Sequence, residues 1–162
     1  MSLQRVGVGY DMHPLTEGRE LVLGGVTVPF ERGLAGHSDS DVVTHAIVDA
    51  LLGAAALGDI GTHFPPDDPA YKDATSLGFL ERTAAMLAEN NWRVANVDAT
   101  IIAQQPRLNP FVEQMRRNMA QALGLPIDRV SVKGKSTNGL GPEGRGEGIS
   151  AQAIALIETA TP

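Results

Sequence analysis

The sequence contains no cysteine, no long apolar segment and few basic residues, and these absences exclude several classes of protein. Without cysteine, neither disulfide bonds nor thiolate chemistry can contribute to structure or function. No apolar stretch approaches the roughly 18 residues that a membrane-spanning helix requires, so we predict no membrane association. The first residues lack a basic run followed by an apolar stretch, so we expect no export signal and a cytoplasmic location.

Positive charge is scarce. The chain has 13 lysine and arginine residues against 19 aspartate and glutamate residues, a formal net charge of −6, and no basic stripe. Nucleic-acid surfaces require clustered lysine and arginine, so we predict no nucleic-acid partner. A phosphate-bearing substrate would therefore have to be bound by metal ions, backbone N–H groups or a few focused cations.

Apolar residues make up 43% of the 162 residues, but aromatic residues make up only 4%. We therefore predict one domain over residues 1–162, with a core of alanine, valine, isoleucine and leucine. Because small apolar side chains each bury little area, such a domain gains stability by forming an oligomer.

Apolar periodicity and turn residues predict an α/β domain. The first predicted elements are a strand over Arg5–Tyr10, a hairpin over Glu20–Phe30, and a helix from about Val42 to Leu57 that is capped within Ser38–Asp41. A long loop over 58–74 follows, then a helix from Thr75 or Ser76, a strand over Val94–Gln104, and a helix from Asn109 closed by Gly124. The last predicted elements are a strand over Arg129–Lys135, a glycine-rich loop over Gly139–Gly148, and a strand or helix over Ile149–Ile157. This order favours a two-layer α+β arrangement, with helices on one face of a mixed four-stranded sheet and the other face left for a partner subunit.

The sharpest local motif is Gly9-Tyr10-Asp11-Met12-His13, at the predicted end of the first strand. Side chains two residues apart in a strand point the same way, so Asp11 and His13 can meet at one ion, and His45 opens the next helix. One carboxylate and two imidazoles suit zinc and leave a fourth position open, as in catalytic sites. The alternative is that the Asp-x-His pair is accidental and His45 is an ordinary helix residue.

Longer motifs settle the choice. The runs GYDMHPL, AGHSDSDVVTHAIVDALLGAAALGDIG, FP, NVDATIIAQQP and GRGEGI occur in the order and spacing of the 2-C-methyl-D-erythritol 2,4-cyclodiphosphate synthase family. The chain resembles this family from about residue 5 to residue 158, and it resembles the stand-alone form, not the form fused to a cytidylyltransferase. The resemblance implies a lyase of the non-mevalonate isoprenoid route. Such an enzyme converts 4-diphosphocytidyl-2-C-methyl-D-erythritol 2-phosphate into the cyclic diphosphate and releases CMP.

The resemblance also implies roles for individual residues. Asp11, His13 and His45 would bind Zn²⁺, and His37 and Ser136 would stabilise the transition state. The implied substrate contacts are Asp11, Met12, His13, His37, Ser38, Asp59, Ile60, Gly61, Phe64, Pro65, Pro66, Asp67, Asp68, Ala103, Gln104, Gln105, Pro106, Arg107, Leu108, Asn109, Lys135, Ser136, Thr137, Asn138, Pro142 and Arg145. Within this set, residues 59–68 would hold the methylerythritol unit, residues 103–109 the cytosine, and residues 135–138 the phosphates.

Several positions depart from the family pattern. Asn138 stands where an acidic residue commonly binds a second divalent cation, Mg²⁺ or Mn²⁺, and an amide oxygen is a weaker ligand for such an ion. Lys135 replaces a residue that is usually uncharged, and we hypothesise that its charge compensates. Pro66 and Pro142 also differ from the common residues, so contacts at these two positions are less firmly implied. Asp49, in the first predicted helix, either orients a ligand histidine or faces solvent.

The resemblance further implies a homotrimer with active sites between subunits. Arg145 and Glu147 would line its central channel, where an isoprenoid diphosphate could offset the arginine charges. Two other functions share some of these features. A zinc phosphodiesterase would use the same metal site with water as the nucleophile, whereas a non-catalytic trimeric binder of isoprenoid diphosphates would keep the zinc ligands only as a structural remnant.

Overall fold

The computed structural model describes residues 2–160, which form a mixed sheet with helices on one face and a separate hairpin. The strands are β1 (Gln4–Thr16), β2 (Leu21–Leu23), β3 (Val26–Val28), β4 (Gly33–Leu34), β5 (Trp92–Ile102), β6 (Val130–Lys135) and β7 (Gly148–Thr159). The helices are α1 (Val42–Ala54), α2 (Ile60–His63), α3 (Ser76–Glu89), α4 (Asn109–Leu123) and α5 (Gly141–Gly144), with short 3-10 turns over Pro69–Tyr71 and Ile127–Arg129.

The main sheet has the strand order β4-β1-β7-β5-β6. The strand β7 is antiparallel to both β1 and β5, whereas β5 and β6 are parallel. The predicted two-layer α/β class is therefore confirmed, but the sheet has five strands where four were expected. The additional strand β4 has two residues, which pair with Leu15 and Thr16 at the end of β1. So short a segment carries no periodicity.

All the longer helices lie on one face of the sheet. Helix α1 packs on β1 and β7, α3 packs on α1 and α4, and α4 packs on β6. On the opposite face, β1 and β7 leave large apolar side chains exposed: Val6, Val8, Tyr10 and Ile154. Strand alternation explains this pattern, because successive side chains point to opposite faces. The prediction of an uncovered sheet face is confirmed.

Helix α1 is placed close to β1 by two glycines and by its N-cap. A side chain at Gly7 or Gly9 would collide with the backbone of α1, so the absence of side chains there lets the helix lie close to the strand. The Asp41 carboxylate caps the helix by accepting from the Thr44 N–H at 3.2 Å, and it also accepts from the N–H groups of Gly24 and Gly25 in the β2–β3 turn. The first turn of α1 therefore lies beside the second half of β1.

Several predicted boundaries were wrong. Strand β1 does not end near Tyr10 but continues to Thr16, because β7 pairs with it as far as Pro14 and β4 pairs beyond that point. The segment predicted as a loop over 58–74 contains α2 and a 3-10 turn, and the glycine-rich loop contains α5. The C-terminal segment is strand β7, so the helix alternative was wrong.

Three other expectations are confirmed. The hairpin turns at Gly24–Gly25, α3 follows Thr75, and α4 ends at Gly124, whose φ of 66° is in the left-handed region that favours glycine. No helix within residues 2–160 has the length and apolar character needed to cross a lipid bilayer.

Candidate active site

Three side chains meet between β1 and α1. Asp11 and His13 project from the same face of β1, and His45 projects toward them from the start of α1. The Asp11 Oδ2 atom lies 3.1 Å from His13 Nε2 and 3.0 Å from His45 Nδ1. His45 is buried, and the other two side chains are about three-quarters buried. Among residues 2–160, these three form a group whose ligand atoms all lie within 4.8 Å of one another.

The remaining ring nitrogens bond to groups outside the cluster. His13 Nδ1 lies 2.7 Å from the carbonyl oxygen of Ala35, and His45 Nε2 lies 2.7 Å from Ser76 Oγ. Each imidazole is therefore held at one nitrogen and presents the other nitrogen to Asp11. This arrangement is typical of metal-binding histidines, whose orientation is set by an outer hydrogen bond. Either ion pairing or a divalent metal ion satisfies such a donor set.

Contacts within the cluster shift the pKa values of Asp11 and His13. Burial alone would raise the pKa of the Asp11 carboxyl group, but the hydrogen bonds from His13 and His45 together outweigh it, so that pKa lies well below its usual range. The hydrogen bond to Asp11 raises the pKa of His13, although burial of the ring opposes this effect. Without a metal ion, the cluster therefore favours a carboxylate beside a protonated imidazole.

The cluster opens into a cavity of about 210 Å³. The cavity is lined by Asp11, His13, His37, Ser38, His45, Ile60, Gly61, Phe64, Pro66, Tyr71 and Phe79. One wall is aromatic, since Phe64 and Phe79 stack with ring centroids 4.6 Å apart and Tyr71 meets both rings edge-on. The cavity thus combines a polar floor of potential metal ligands with an apolar, aromatic side.

Sequence reasoning missed residues that shape this cavity. Tyr71 and Phe79 belong to a 3-10 turn and to α3, and only tertiary packing brings them to the site. Arg19 donates to the carbonyl oxygens of Gly36 (2.8 Å) and Ser38 (2.7 Å), which fixes the loop that carries His37. Helical periodicity could have indicated that Phe79 is buried, but no sequence signal identifies Arg19.

Two aspartates near the cavity have well-defined local partners. Asp59 is the N-cap of α2, and its Oδ1 atom accepts from the N–H and the hydroxyl of Thr62 at 2.8 and 2.7 Å. These bonds lower the pKa of this exposed carboxyl group. Asp49 accepts from the Ile60 N–H at 2.7 Å, so it neither bonds to His45 nor faces solvent alone. Its contact secures the turn that leads from α1 into α2.

A second cavity, of about 340 Å³, lies at the ends of β5 and β6. It is lined by Ala103, Gln104, Gln105, Pro106, Arg107, Leu108, Asn109, Gly134, Lys135 and Ser136. The segment predicted to bind cytosine and the first residues of the predicted phosphate segment therefore share one cavity. The side chain of Gln104 also accepts from the Gly139 N–H at 3.0 Å, which ties the two loops together. The two cavities have no lining residue in common.

Other predicted contacts line neither of these two cavities: Met12, Asp59, Pro65, Asp67, Asp68, Thr137, Asn138, Pro142 and Arg145. Met12 faces the other side of β1, where its sulfur lies 3.6 Å from the Tyr10 hydroxyl. Asp68 caps the 3-10 turn through the Ala70 N–H. Arg145 and Glu147 form an exposed ion pair with an N–O distance of 2.8 Å. His63 is half-buried and bonds to the Leu57 carbonyl oxygen.

Comparison with known proteins identifies the family. A model of the YgbB family matches residues 4–158. The chain is 59% identical over 153 residues to 2-C-methyl-D-erythritol 2,4-cyclodiphosphate synthase of Moorella thermoacetica, covering 94% of each protein. It is 59% identical over 156 residues to the enzyme of the same name from Syntrophomonas wolfei, covering 96% of this chain and 99% of that one.

Solved structures agree with the sequence comparison. The fold matches a structure of the Plasmodium falciparum protein IspF in complex with CDP, with a TM-score of 0.85 and 33% identity. The match covers 98% of this chain and 97% of that chain. Family model, sequence identity and fold agree over nearly the whole length, so the chain belongs to the YgbB family of 2-C-methyl-D-erythritol 2,4-cyclodiphosphate synthases.

Proposed function

We propose that this chain converts 4-diphosphocytidyl-2-C-methyl-D-erythritol 2-phosphate into 2-C-methyl-D-erythritol 2,4-cyclodiphosphate and CMP, with Zn²⁺ held by Asp11, His13 and His45. The observation that carries the proposal is the convergence of one carboxylate and two imidazole nitrogens at the floor of a cavity. Three protein donors of this kind would hold zinc and would leave a fourth coordination position open for substrate. The names of the close relatives support the reaction.

The reaction is an intramolecular phosphoryl transfer. An oxygen of the 2-phosphate forms a bond to the β-phosphorus, and the bond from that phosphorus to the bridging oxygen of CMP breaks. The attacking phosphate is already ionised near neutral pH, so the protein must supply positioning and charge stabilisation but no general base. A zinc ion bound by the three ligands would supply Lewis-acid polarisation of a phosphoryl oxygen.

The residues around the cavity suit the methylerythritol part of the substrate. We assign phosphate contacts to His37 and Ser38, and hydroxyl contacts to the Asp59–Gly61 segment, whose Ile60 and Gly61 line the cavity. The aromatic wall of Phe64, Tyr71 and Phe79 keeps water away from the reacting phosphorus. Excluding water favours attack by the 2-phosphate over hydrolysis, which is the outcome that a cyclase requires.

We assign the cytidine part to the second cavity. Backbone groups of residues 103–109 would read the cytosine edge, and Lys135, Ser136 and Thr137 would bind the α- and β-phosphates. The CDP complex of the Plasmodium falciparum protein supports a cytidine ligand. Ser136 would also stabilise the transition state together with His37. A second divalent cation, Mg²⁺ or Mn²⁺, would bind near Asn138, mainly through phosphate oxygens and water, because an amide is a weak ligand for it.

We further propose that the active unit is a homotrimer. The two cavities share no lining residue, so a neighbouring subunit that brought its second cavity beside the metal cluster would complete a site. The exposed apolar side chains of Val6, Val8 and Ile154 provide a surface for such an interface. The Arg145–Glu147 pair would line the central channel, where an isoprenoid diphosphate would be a suitable anion.

Running the reaction in ¹⁸O-labelled water tests the proposed chemistry against a phosphodiesterase. Cyclisation yields CMP and cyclic diphosphate without solvent oxygen in either product. Hydrolysis instead yields CMP and the open-chain bisphosphate, with ¹⁸O in whichever of these two contains the attacked phosphorus. Absence of any CMP release, together with binding of an isoprenoid diphosphate that survives the His13→Ala substitution, would instead indicate a non-catalytic binder.

A further inference from the structure

We infer that Asp39 and Ser76 are positioning residues for the proposed metal centre: they fix the proton of His45 on Nε2, so that Nδ1 is the nitrogen presented to the ion. This inference rests on the proposed function and deepens it, because it concerns groups that do not touch the ion or the substrate. Ser76 is the first residue of α3, and it is 31 residues from His45 in the chain.

The contacts form a short chain of hydrogen bonds. Ser76 is fully buried, and its Oγ atom lies 2.7 Å from His45 Nε2. The same Oγ atom is hydrogen-bonded to Asp39 Oδ1, and the Ser76 backbone N–H donates to Asp39 Oδ2 at 2.8 Å. The Asp39 carboxylate therefore accepts hydrogen bonds from both the hydroxyl and the backbone N–H of Ser76, and this leaves the hydroxyl little rotational freedom.

Proton counting gives the direction of each bond. A serine hydroxyl has one hydrogen, and a carboxylate can only accept. Ser76 must therefore donate its hydrogen to Asp39, and its oxygen can only accept from His45. A neutral imidazole has one N–H group; when that group lies on Nε2, where Ser76 Oγ accepts it, the lone pair on Nδ1 is available to a metal ion. Nδ1 itself lies 3.0 Å from Asp11 Oδ2, in the centre of the cluster.

His13 presents its other nitrogen, Nε2, to Asp11, because a backbone carbonyl holds its Nδ1 atom. Its Nδ1 atom lies 2.7 Å from the Ala35 carbonyl oxygen, which can only accept, so Nδ1 carries a proton and Nε2 is the nitrogen left to bind an ion. The two histidines thus present different nitrogens because they approach from different elements, β1 and α1. A backbone carbonyl contacts the outer nitrogen of His13, whereas the outer nitrogen of His45 contacts two hydroxyl groups, Ser76 Oγ at 2.7 Å and Ser38 Oγ at 3.4 Å.

The Asp39→Asn substitution distinguishes an effect on the His45 ring proton from an effect on the folding of α3. The amide oxygen can still accept a hydrogen bond from the Ser76 N–H, so the start of α3 keeps its support. The amide nitrogen, however, can donate to Ser76 Oγ, and this frees the hydroxyl to donate to His45 Nε2. The proton of the ring then moves to Nδ1, the nitrogen that the ion requires.

The test is the affinity of the metal-stripped protein for Zn²⁺ alone, measured by competition with a chromophoric chelator. We expect Asp39→Asn and Ser76→Ala to bind zinc about 10- to 100-fold more weakly than the unsubstituted chain, the usual effect of losing an outer partner of a ligand histidine. Asp39→Asn should leave the metal-free protein folded, with a melting temperature lowered only by the loss of the Asp41 N–H contact to Asp39 Oδ1 (3.2 Å). In zinc-loaded protein, ¹⁵N NMR of the His45 ring should place the proton on Nε2.

Asp73→Asn is the matched control, since it removes the same charge from a neighbouring exposed loop residue whose backbone N–H, not its side chain, bonds to His37. We expect it to leave zinc affinity within about twofold. If Asp39→Asn binds zinc as tightly as the unsubstituted chain, the inference is wrong but the proposed metal centre is not. The same conclusion follows if Asp73→Asn loses as much zinc affinity as Asp39→Asn. If the unsubstituted chain binds no zinc, the proposed metal centre itself is wrong.

Discussion

The carbonyl oxygen of Ala46 occupies the space that a side chain at position 9 would need. A Cβ atom built on Gly9 would lie 1.8 Å from that oxygen, far inside van der Waals contact. Gly9 is two residues before Asp11, and Ala46 directly follows His45. The missing side chain therefore sets how closely the strand and the helix that carry the cluster can approach.

Replacing Gly9 by alanine should push α1 away from β1. We expect a loss of about 3 kcal/mol in the free energy of unfolding, at the upper end for an overpacked core, together with weaker zinc binding. Urea titration followed by circular dichroism measures the first effect, and chelator competition measures the second.

Gly53→Ala is the control for that experiment. Gly53 lies on the exposed side of the same helix, and a Cβ there would meet nothing within 4 Å. We expect this substitution to stabilise the protein by about 0.5–1 kcal/mol, because alanine is the better helix former. If Gly9→Ala were as well tolerated as Gly53→Ala, close approach of α1 to β1 would not be what holds the cluster together.

Ser40 is a position where a smaller residue should improve stability. Its φ is +57°, which is costly for a residue with a side chain, and its buried hydroxyl has no hydrogen-bond partner within residues 2–160. We expect Ser40→Gly to raise the free energy of unfolding by about 1 kcal/mol. Ser131→Gly, on the exposed side of β6, should instead lower it by about 0.5–1 kcal/mol. A destabilised Ser40→Gly variant would show that the side chain contributes more than its strain costs.

All three residues of the metal cluster could be indicated by local pattern. The two-residue period of a strand places Asp11 and His13 on one face, and this holds although β1 is longer than predicted. His45 could be placed because polar caps mark the start of α1. The length of β1 could not be predicted, because it depends on pairing with β7, whose residues lie more than a hundred positions away.

The groups that support the ligands could not be predicted at all. Ser76 reaches His45 only because α3 packs against α1, and no spacing in the sequence relates the two residues. Arg19 likewise lies in a loop without periodicity, and its two carbonyl partners are 17 and 19 residues away. Such tertiary contacts are decided by packing, whereas motifs record only neighbours in the chain.

The metal-free protein should show a stability optimum that depends on Asp11 and His13. The pKa of Asp11 is lowered from 3.8, so its contribution is present above that value and is lost as the pH falls through the folded-state pKa. The pKa of His13 is raised from 6.5, so its contribution is present below that value and is lost as the pH rises through the folded-state pKa. The pair therefore stabilises the protein most between 3.8 and 6.5.

Comparing urea unfolding of the unsubstituted chain and Asp11→Asn with chelator present tests this dependence. The difference in unfolding free energy should be larger at about pH 5 than at about pH 9. A difference that is constant across this range, or larger at the alkaline end, would mean that Asp11 does not pair with a protonated imidazole.

Lys135 should compensate for the uncharged Asn138 in holding the diphosphate. We expect Lys135→Ala to lower CMP release about tenfold and to raise the Mg²⁺ concentration needed for half-maximal rate, because a charge-assisted contact to phosphate is lost. Lys133 is on the same strand as Lys135, and its charge is paired with Asp98 on the neighbouring strand β5. Lys133→Ala therefore removes an equal charge but should change neither quantity appreciably. If Lys135→Ala leaves both rate and metal dependence unchanged, Lys135 does not compensate.

The proposed chemistry requires that Asp11, His13 and His45 hold one ion needed for cyclisation. The direct measurement is CMP release by metal-stripped protein, with the cytidyl substrate and saturating Mg²⁺, as Zn²⁺ is titrated back. We predict that activity returns as about one zinc ion binds per chain, with cyclic diphosphate formed in equal amount to CMP, and that His45→Ala stays inactive. Full CMP release before any zinc is added, or by the His45→Ala variant, would contradict the account.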